Sequence, residues 1–123
     1  MSKRPEVSLR IVVADNDAAA LELAVTDLDL EGHVIVAAVT NGADAIAAVH
    51  LHHPDVLVVD HRMPPGPFGL DVLRTLAGQG VTTRVVVYSN YQDPDVVAEV
   101  KRLGGRFLPK GDLHRLRRAV LGG

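Results

Sequence analysis

The chain alternates five short apolar runs with longer stretches in which apolar residues recur at helical spacing. The runs lie at residues 9–14, 34–39, 56–59, 85–88 and 107–108; they are rich in Val and Ile and show little alternation of apolar and polar positions. Such runs are typical of strands buried on both faces, as in a parallel sheet covered by helices. Because parallel strands need right-handed helical crossovers, the pattern predicts one (βα)5, doubly wound α/β domain.

Residues that favour a helix start or stop mark the stretches between the runs. Asn41 is predicted to cap the second helix, Asp93 followed by Pro94 to start the fourth, and Asp112 to start the fifth. Gly32 is expected to end the first helix. The buried stripe of the third helix is predicted to consist of Leu70, Leu73, Leu76 and Ala77.

The composition supports a single folded domain with an aliphatic core. Of the 123 residues, 47% are hydrophobic, and there is neither Trp nor Cys. The lack of cysteine excludes disulfides, thiolate metal sites and cysteine nucleophiles. We expect a flexible arm over residues 1–8 and a folded domain over residues 9–121. We also expect a cytoplasmic location without membrane contact, because no segment resembles a signal core or a membrane span.

The charge pattern has one asymmetry. The net charge of −2 argues neither for nor against nucleic acid as a partner, but seven Lys and Arg residues lie between positions 101 and 118 beside a single acid. This stretch is interpreted either as a solvated helix face or as a docking surface for an acidic partner.

Polar residues follow four of the predicted strands. The first strand is followed by Asp15, Asn16 and Asp17, the third by Asp60, the fourth by Ser89 and the fifth by Lys110. In open parallel sheets, chemistry gathers at the carboxyl ends of the strands, so we expect these side chains to meet.

The expected pocket suits magnesium and phosphoryl chemistry. Carboxylate oxygens are ligands that Mg²⁺ prefers, and a carboxylate can act as a nucleophile to form an acyl phosphate. Phosphoryl transfer needs mainly positioning and charge neutralisation, which Mg²⁺ and the Lys110 ammonium could supply, while the Ser89 hydroxyl could bond a phosphoryl oxygen. Asp17 could instead simply cap the first helix.

These stretches resemble the receiver domains of two-component response regulators, over about residues 9–121. The run that ends in Asp60 and continues as His61-Arg62-Met63-Pro64 resembles the family's phosphoacceptor strand and turn. The acidic turn at residues 15–17, the strand ending in Ser89 and the strand ending in Lys110 match the other conserved positions. The resemblance implies a flavodoxin-like fold with strand order 2-1-3-4-5, a histidine kinase or phosphotransfer protein as donor, and Asp60 as acceptor.

The resemblance also implies roles for the neighbouring residues. Mg²⁺ would be held by Asp15, Asn16, Asp60 and the backbone carbonyl of Arg62, with Asp17 as a further candidate. Lys110 and Ser89 would contact the phosphoryl group. Ser89 and Phe107 would form a switch that repacks the face made by the fourth helix, fifth strand and fifth helix. That face could serve a homodimer, a downstream protein or an output domain outside this chain, without direct nucleic-acid binding.

Four positions depart from the family pattern. Asn16 stands where a second acid is usual, and the turn at residues 64–69 is one residue longer. Gly111 follows Lys110 where proline is common, which excludes a cis X-Pro bond there. Asn90 stands where Ala or Gly is frequent, and with Arg62 and Tyr91 it could alter access of water to the phosphoryl group.

Three alternatives stay open at this point. The first is a degenerate receiver that signals by contact without phosphorylation, which Asn16 favours. The second is a phosphatase of the haloacid-dehalogenase type, because that class also uses an Asp-x-Asp turn followed by Ser and Lys. The third is a metal site formed by three histidines near the end of the second helix: His50, His52 and His53.

Overall fold

The computed structural model describes residues 7–123. Most of the arm predicted over residues 1–8 therefore lies outside the described residues. Five strands alternate with five helices: β1 (Arg10–Ala14), α1 (Ala18–Leu30), β2 (Val34–Val39), α2 (Gly42–His52), β3 (Val56–Val59), α3 (Gly69–Gly78), β4 (Arg84–Ser89), α4 (Pro94–Arg102), β5 (Arg106–Pro109) and α5 (Leu113–Val120). All strand pairs are parallel, in the order β2-β1-β3-β4-β5. The predicted (βα)5 fold and its strand order are confirmed.

Side-chain caps explain where the helices begin. The Asn41 Oδ1 accepts the Asp44 N–H at 2.8 Å, and Asp93 caps α4 with Pro94 in its first turn. The Asp112 Oδ1 accepts the Arg115 N–H at 3.1 Å. These predicted caps are confirmed, and each satisfies donors that have no partner within the helix.

The sheet separates two core layers. One layer packs against α2, α3 and α4 and the other against α1 and α5. The predicted stripe of α3 is wrong in one member, since Ala77 is exposed while Val72 is fully buried. Position 72 lies one turn before Leu76 and one residue before Leu73, so the buried face of α3 is centred on Val72, Leu73 and Leu76.

Arginines start three of the five strands at the amino-terminal edge of the sheet. The Arg10 Nη1 donates to the carbonyl oxygens of His52 and His53 at 2.7 and 3.2 Å. The Arg84 Nη1 donates to the Val120 carbonyl oxygen at 2.7 Å, and Arg106 donates to the Gly123 carbonyl. These cations satisfy carbonyls at and just beyond the carboxyl ends of α2 and α5, where positive charge is favoured.

Candidate functional site

The predicted polar strand ends meet at the carboxyl edge of the sheet. A cavity of about 220 Å³ opens there, lined by Asn16, Asp17, Asp60, Arg62, Ser89, Asn90, Tyr91 and Lys110. A larger cavity of about 370 Å³ lies between α3 and α4 near the opposite edge, but no carboxylate lines it. Of these two cavities, the smaller one therefore carries the carboxylates and the lysine that the sequence predicts for phosphoryl chemistry.

Lys110 joins the buried Asp60 carboxylate of this cavity to a second buried carboxylate, that of Asp15. Its Nζ lies 2.6 Å from Asp15 Oδ2 and 3.3 Å from Asp60 Oδ2, and the three side chains are only 13%, 6% and 8% exposed. Burial alone would lower the pKa of Lys110, but the hydrogen bond to Asp15 and the charges of both carboxylates together raise it. Burial raises the pKa of the Asp15 carboxyl, and the hydrogen bond from Lys110 only reduces that shift. The ammonium thus stays charged beside Asp60.

Asp17 lies in the helix-capping position that the sequence left open. Its Oδ1 accepts the N–H groups of Ala19 and Ala20 at 3.0 and 3.3 Å, while its own N–H donates to Asp15 Oδ1 at 2.9 Å. The turn therefore fixes the Asp15 carboxylate through the backbone. Asn16 is exposed at the cavity rim, and the metal roles predicted for Asn16 and Asp17 stay predictions.

The donor set fits a magnesium ion that takes only a few charged ligands from the protein. Asp15 and Asp60 each place an oxygen within 3.3 Å of the same ammonium, so the two carboxylates already share one cation. Within residues 7–123, no three His, Asp or Glu side chains are grouped closely enough for a metal site of their own, and this applies also to the three histidines at and just after the end of α2. Mg²⁺ commonly keeps several waters and few carboxylates, so two acids, a carbonyl and water suit it.

Close backbone contacts hold the loop that follows Asp60. The Gly69 N–H donates to the His61 carbonyl at 2.8 Å, and a Cβ at Gly69 would lie only 2.4 Å from the Asp60 carbonyl oxygen. At the other side of the loop, a Cβ at Gly42 would lie 2.1 Å from the Pro67 carbonyl oxygen. Two glycines therefore let α2 and α3 approach the loop that carries Asp60.

Aromatic contacts connect this loop with the loop after β4. The His61 ring stacks on Tyr91 with centroids 5.3 Å apart and meets Phe68 edge-on at 5.5 Å. The Arg62 guanidinium carbon lies 5.0 Å from the centre of the Tyr91 ring. Burial lowers the pKa of His61, and its Nδ1 accepts the Leu70 N–H at 3.3 Å. These contacts make Arg62 and Tyr91 one wall of the cavity.

Of the two predicted switch residues, Ser89 lies at the cavity and Phe107 lies against the core. Ser89 is 1% exposed, lines the cavity, and accepts the Tyr91 N–H on its Oγ at 3.1 Å. Phe107 is half-buried and packs against the core layer of α3 and α4. It is not among the residues that line the cavity.

Comparison with protein families adds the deciding observation, because the response regulator receiver domain model matches residues 11–120. The chain belongs to the response regulator receiver domain family. Receiver domains are signalling domains of two-component systems, so the predicted family resemblance is confirmed. The match lends no support to the phosphatase interpretation, and the Asp17 side chain caps α1.

Relatives of this receiver domain are transcription and oxygen regulators. It is 32% identical over 105 residues to the probable transcriptional regulatory protein NarL of Mycobacterium tuberculosis, covering 85% of this chain and 48% of NarL. It is 29% identical over 99 residues to the oxygen regulatory protein NreC of Staphylococcus haemolyticus, covering 80% of this chain and 46% of NreC. The chain thus spans about half the length of the curated relatives it matches.

Solved structures agree with the receiver fold. The signal receiver domain of the Mycobacterium tuberculosis response regulator NarL superposes with a TM-score of 0.87 at 32% identity, covering 96% of each chain. CheY of Borrelia burgdorferi, in a complex with CheX, BeF₃ and magnesium, gives a TM-score of 0.85 at 19% identity, covering 92% of this chain and 87% of that chain. The second likeness shows the fold alone. Among the described residues, none of the helices has the length and apolar character required to cross a bilayer.

Sequence reasoning missed several residues that shape this receiver site. Gly69, Gly42 and His61 act through contacts that depend on the path of a loop, so their residue types alone do not reveal them. The sequence does carry one signal for Gly69, because it ends a proline-rich turn directly before a helix.

Proposed function

We propose that this receiver domain accepts a phosphoryl group on Asp60 from a histidine kinase or phosphotransfer protein. The observation that carries the proposal is the contact of one buried ammonium, Lys110 Nζ, with both Asp15 and Asp60 at an open cavity. Asp60 and Lys110 both line that cavity, so a ligand that enters it can reach the acceptor carboxylate and the ammonium together.

In the proposed reaction, an Asp60 oxygen attacks phosphorus while the bond from phosphorus to the donor atom breaks. The leaving group takes the bonding electrons, and an acyl phosphate remains on Asp60. A carboxylate nucleophile has no proton to lose, so no general base is needed. Lys110 balances charge on the phosphoryl oxygens. The Ser89 hydroxyl accepts from Tyr91 N–H, which leaves its own proton available for a phosphoryl oxygen.

Magnesium is the cofactor that we infer for this site. Asp15, Asp60, Asn16 and the Arg62 carbonyl would hold it, and when bound it would supply further positive charge for phosphoryl transfer. Asp15 is fixed for this role by the Asp17 N–H.

The output of the switch is proposed to pass through the face formed by α4, β5 and α5. Phosphorylation adds charge beside Ser89 at the end of β4, and Phe107 on the neighbouring β5 packs under α4. This face would contact a downstream protein, an output domain outside this chain, or a second copy. Because the matched relatives are about twice as long, an attached output domain is the leading candidate.

Mass spectrometry after incubation with acetyl phosphate and Mg²⁺ tests the acceptor. We expect one added phosphoryl group in the wild type and in Asp44→Asn, which changes an exposed α2 residue that does not line the cavity. Asp60→Asn should add none. Phosphorylation that persists in Asp60→Asn would refute the assignment.

A degenerate receiver is the second candidate, because Asn16 removes one charge from the expected metal site. It predicts that the wild type stays unmodified in the same experiment at any Mg²⁺ concentration. The variant Asn16→Asp distinguishes the degenerate receiver from the phosphorylated one. If only this variant is phosphorylated, the wild-type chain is a receiver that has lost its metal affinity.

A further inference from the structure

Two consecutive residues of β4 hold two consecutive N–H groups of the loop that carries Lys110. The Lys110 N–H donates to the Ser89 carbonyl oxygen at 3.2 Å, and the Gly111 N–H donates to the Tyr88 hydroxyl at 3.3 Å. The first bond uses only backbone atoms, so any residue at position 89 could make it. The second requires a side chain that carries an oxygen from the strand to the loop.

The backbone at Gly111 is not held in place by packing against neighbouring side chains. Its φ of 115° lies in the region that favours glycine, and no heavy atom lies within 4 Å of the place where a Cβ would stand. Proline could neither adopt this φ nor donate a hydrogen bond. The glycine therefore leaves the loop free to move unless its N–H is held.

The Tyr88 hydroxyl is itself held in a defined place. The residue is 7% exposed and belongs to the core layer under α1 and α5. Its ring forms one wall of an apolar slot of about 140 Å³ that also involves Ala24, Lys110 and Leu113. A ring fixed by the core thus presents one acceptor to the loop.

We propose that Tyr88 is a positioning residue for phosphoryl transfer. Its hydroxyl anchors the loop at Gly111 and so holds the adjacent Lys110 ammonium between Asp15 and Asp60. The inference rests on the proposed function, since it gives Lys110 a role at the phosphoryl group. Contacts of 2.6 and 3.3 Å leave little slack, so a small shift of the loop lengthens at least one of them.

Tyr88→Phe tests this directly, because it removes the hydroxyl and keeps the ring in the core. Thr83→Val is the matched control, because it removes another partly buried hydrogen bond made by a hydroxyl group. The Thr83 Oγ1 donates to the Pro54 carbonyl oxygen at 2.9 Å, at the opposite edge of the sheet. The assay measures the rate of Asp60 phosphorylation by acetyl phosphate at saturating Mg²⁺. Mg²⁺ affinity by calorimetry and amide exchange by NMR are measured alongside.

We expect Tyr88→Phe to slow phosphorylation by about 3- to 10-fold, the factor that matches loss of one neutral hydrogen bond. Its Mg²⁺ affinity should stay within about twofold of wild type, because the ligand carboxylates are unchanged. The Gly111 amide should lose exchange protection while the Lys110 amide keeps it. Thr83→Val should phosphorylate like the wild type.

Three results would overturn the proposal: an unchanged phosphorylation rate in Tyr88→Phe, an equal slowing in Thr83→Val, or unchanged protection of the Gly111 amide. Failure of the proposed function looks different. In that case the wild type itself would accept no phosphoryl group, whereas failure of the Tyr88 proposal leaves the wild-type reaction intact.

Discussion

Replacing Gly69 with alanine should displace the backbone of the loop that carries Asp60. Gly69 is the first residue of α3, and its added Cβ would stand 2.4 Å from the Asp60 carbonyl oxygen and 2.9 Å from the His61 Cα. The usual carbon–oxygen contact is about 3.3 Å or more. The backbone of Asp60 must therefore move by about 1 Å, and both obstacles are backbone atoms that cannot rotate away.

The expected cost follows from that displacement. Overpacking of this kind destabilises folded proteins by about 1–3 kcal/mol, which corresponds to a fall in Tm of about 4–12 °C for a domain of this size. Misplacement of a reacting group by about 1 Å slows a reaction by up to about 100-fold. We expect Gly69→Ala to slow acetyl phosphate-dependent phosphorylation at least about tenfold.

Gly78→Ala supplies the control within the same helix. A Cβ there meets no heavy atom within 4 Å, and alanine favours helix over glycine by up to about 1 kcal/mol. Its Tm should rise or stay constant, with a wild-type phosphorylation rate. Thermal melts followed by circular dichroism, together with the phosphorylation assay, decide the matter. If Gly69→Ala melts and reacts like Gly78→Ala, the close-approach argument is wrong.

Three further predictions concern stability. Burial lowers the pKa of His33, whose Nδ1 accepts the Leu9 N–H at 3.1 Å; its neutral form thus stabilises the fold above about pH 6.5, and this is lost as pH falls. His33→Asn keeps an acceptor without titration, so its Tm should depend less on pH between 7 and 5 than that of wild type; equal slopes would contradict this. His53 has a left-handed φ of 47°, so His53→Gly should raise the free energy of unfolding in urea by about 0.5–1 kcal/mol, and a decrease would refute the strain. Leu116 is fully buried, so Leu116→Ala should lower it by about 2–5 kcal/mol, whereas Leu121→Ala at a half-exposed position should change it by less than about 0.5 kcal/mol.

The fold was predictable because its strand segments consist mainly of apolar residues. Runs such as residues 56–59 are wholly buried in the structure, and their residue types leave few alternatives to a covered parallel sheet. The positions of Asp15, Asp60, Ser89 and Lys110 followed from topology, since parallel strands bring their carboxyl ends to one edge. Side-chain contacts inside the cavity did not need to be known for that step.

Contacts that depend on loop paths were beyond such reasoning. The close approach of Gly69 to Asp60 exists only once α3 is docked, and the reach of Tyr88 to Gly111 depends on two loops at once. Ala77 shows the same limit on a helix, because helical spacing places it beside the stripe while docking leaves it exposed. Asp17 had two compatible roles, and only the position of its oxygen showed the cap.

The arginines that begin β1, β4 and β5 lie at the amino-terminal edge of the sheet, opposite the cavity. Substitutions at these arginines should have different effects from substitutions of the acceptor residue. At the amino-terminal edge, Arg10, Arg84 and Arg106 tie strands to the ends of helices or the terminal residues, so substitutions there should reduce abundance without altering the reaction. At the other edge, a substitution such as Asp60→Asn should remove the reaction and leave abundance intact. A deep mutational scan that reads protein level and phosphorylation separately should therefore place the three arginines and Asp60 in two distinct sets of positions.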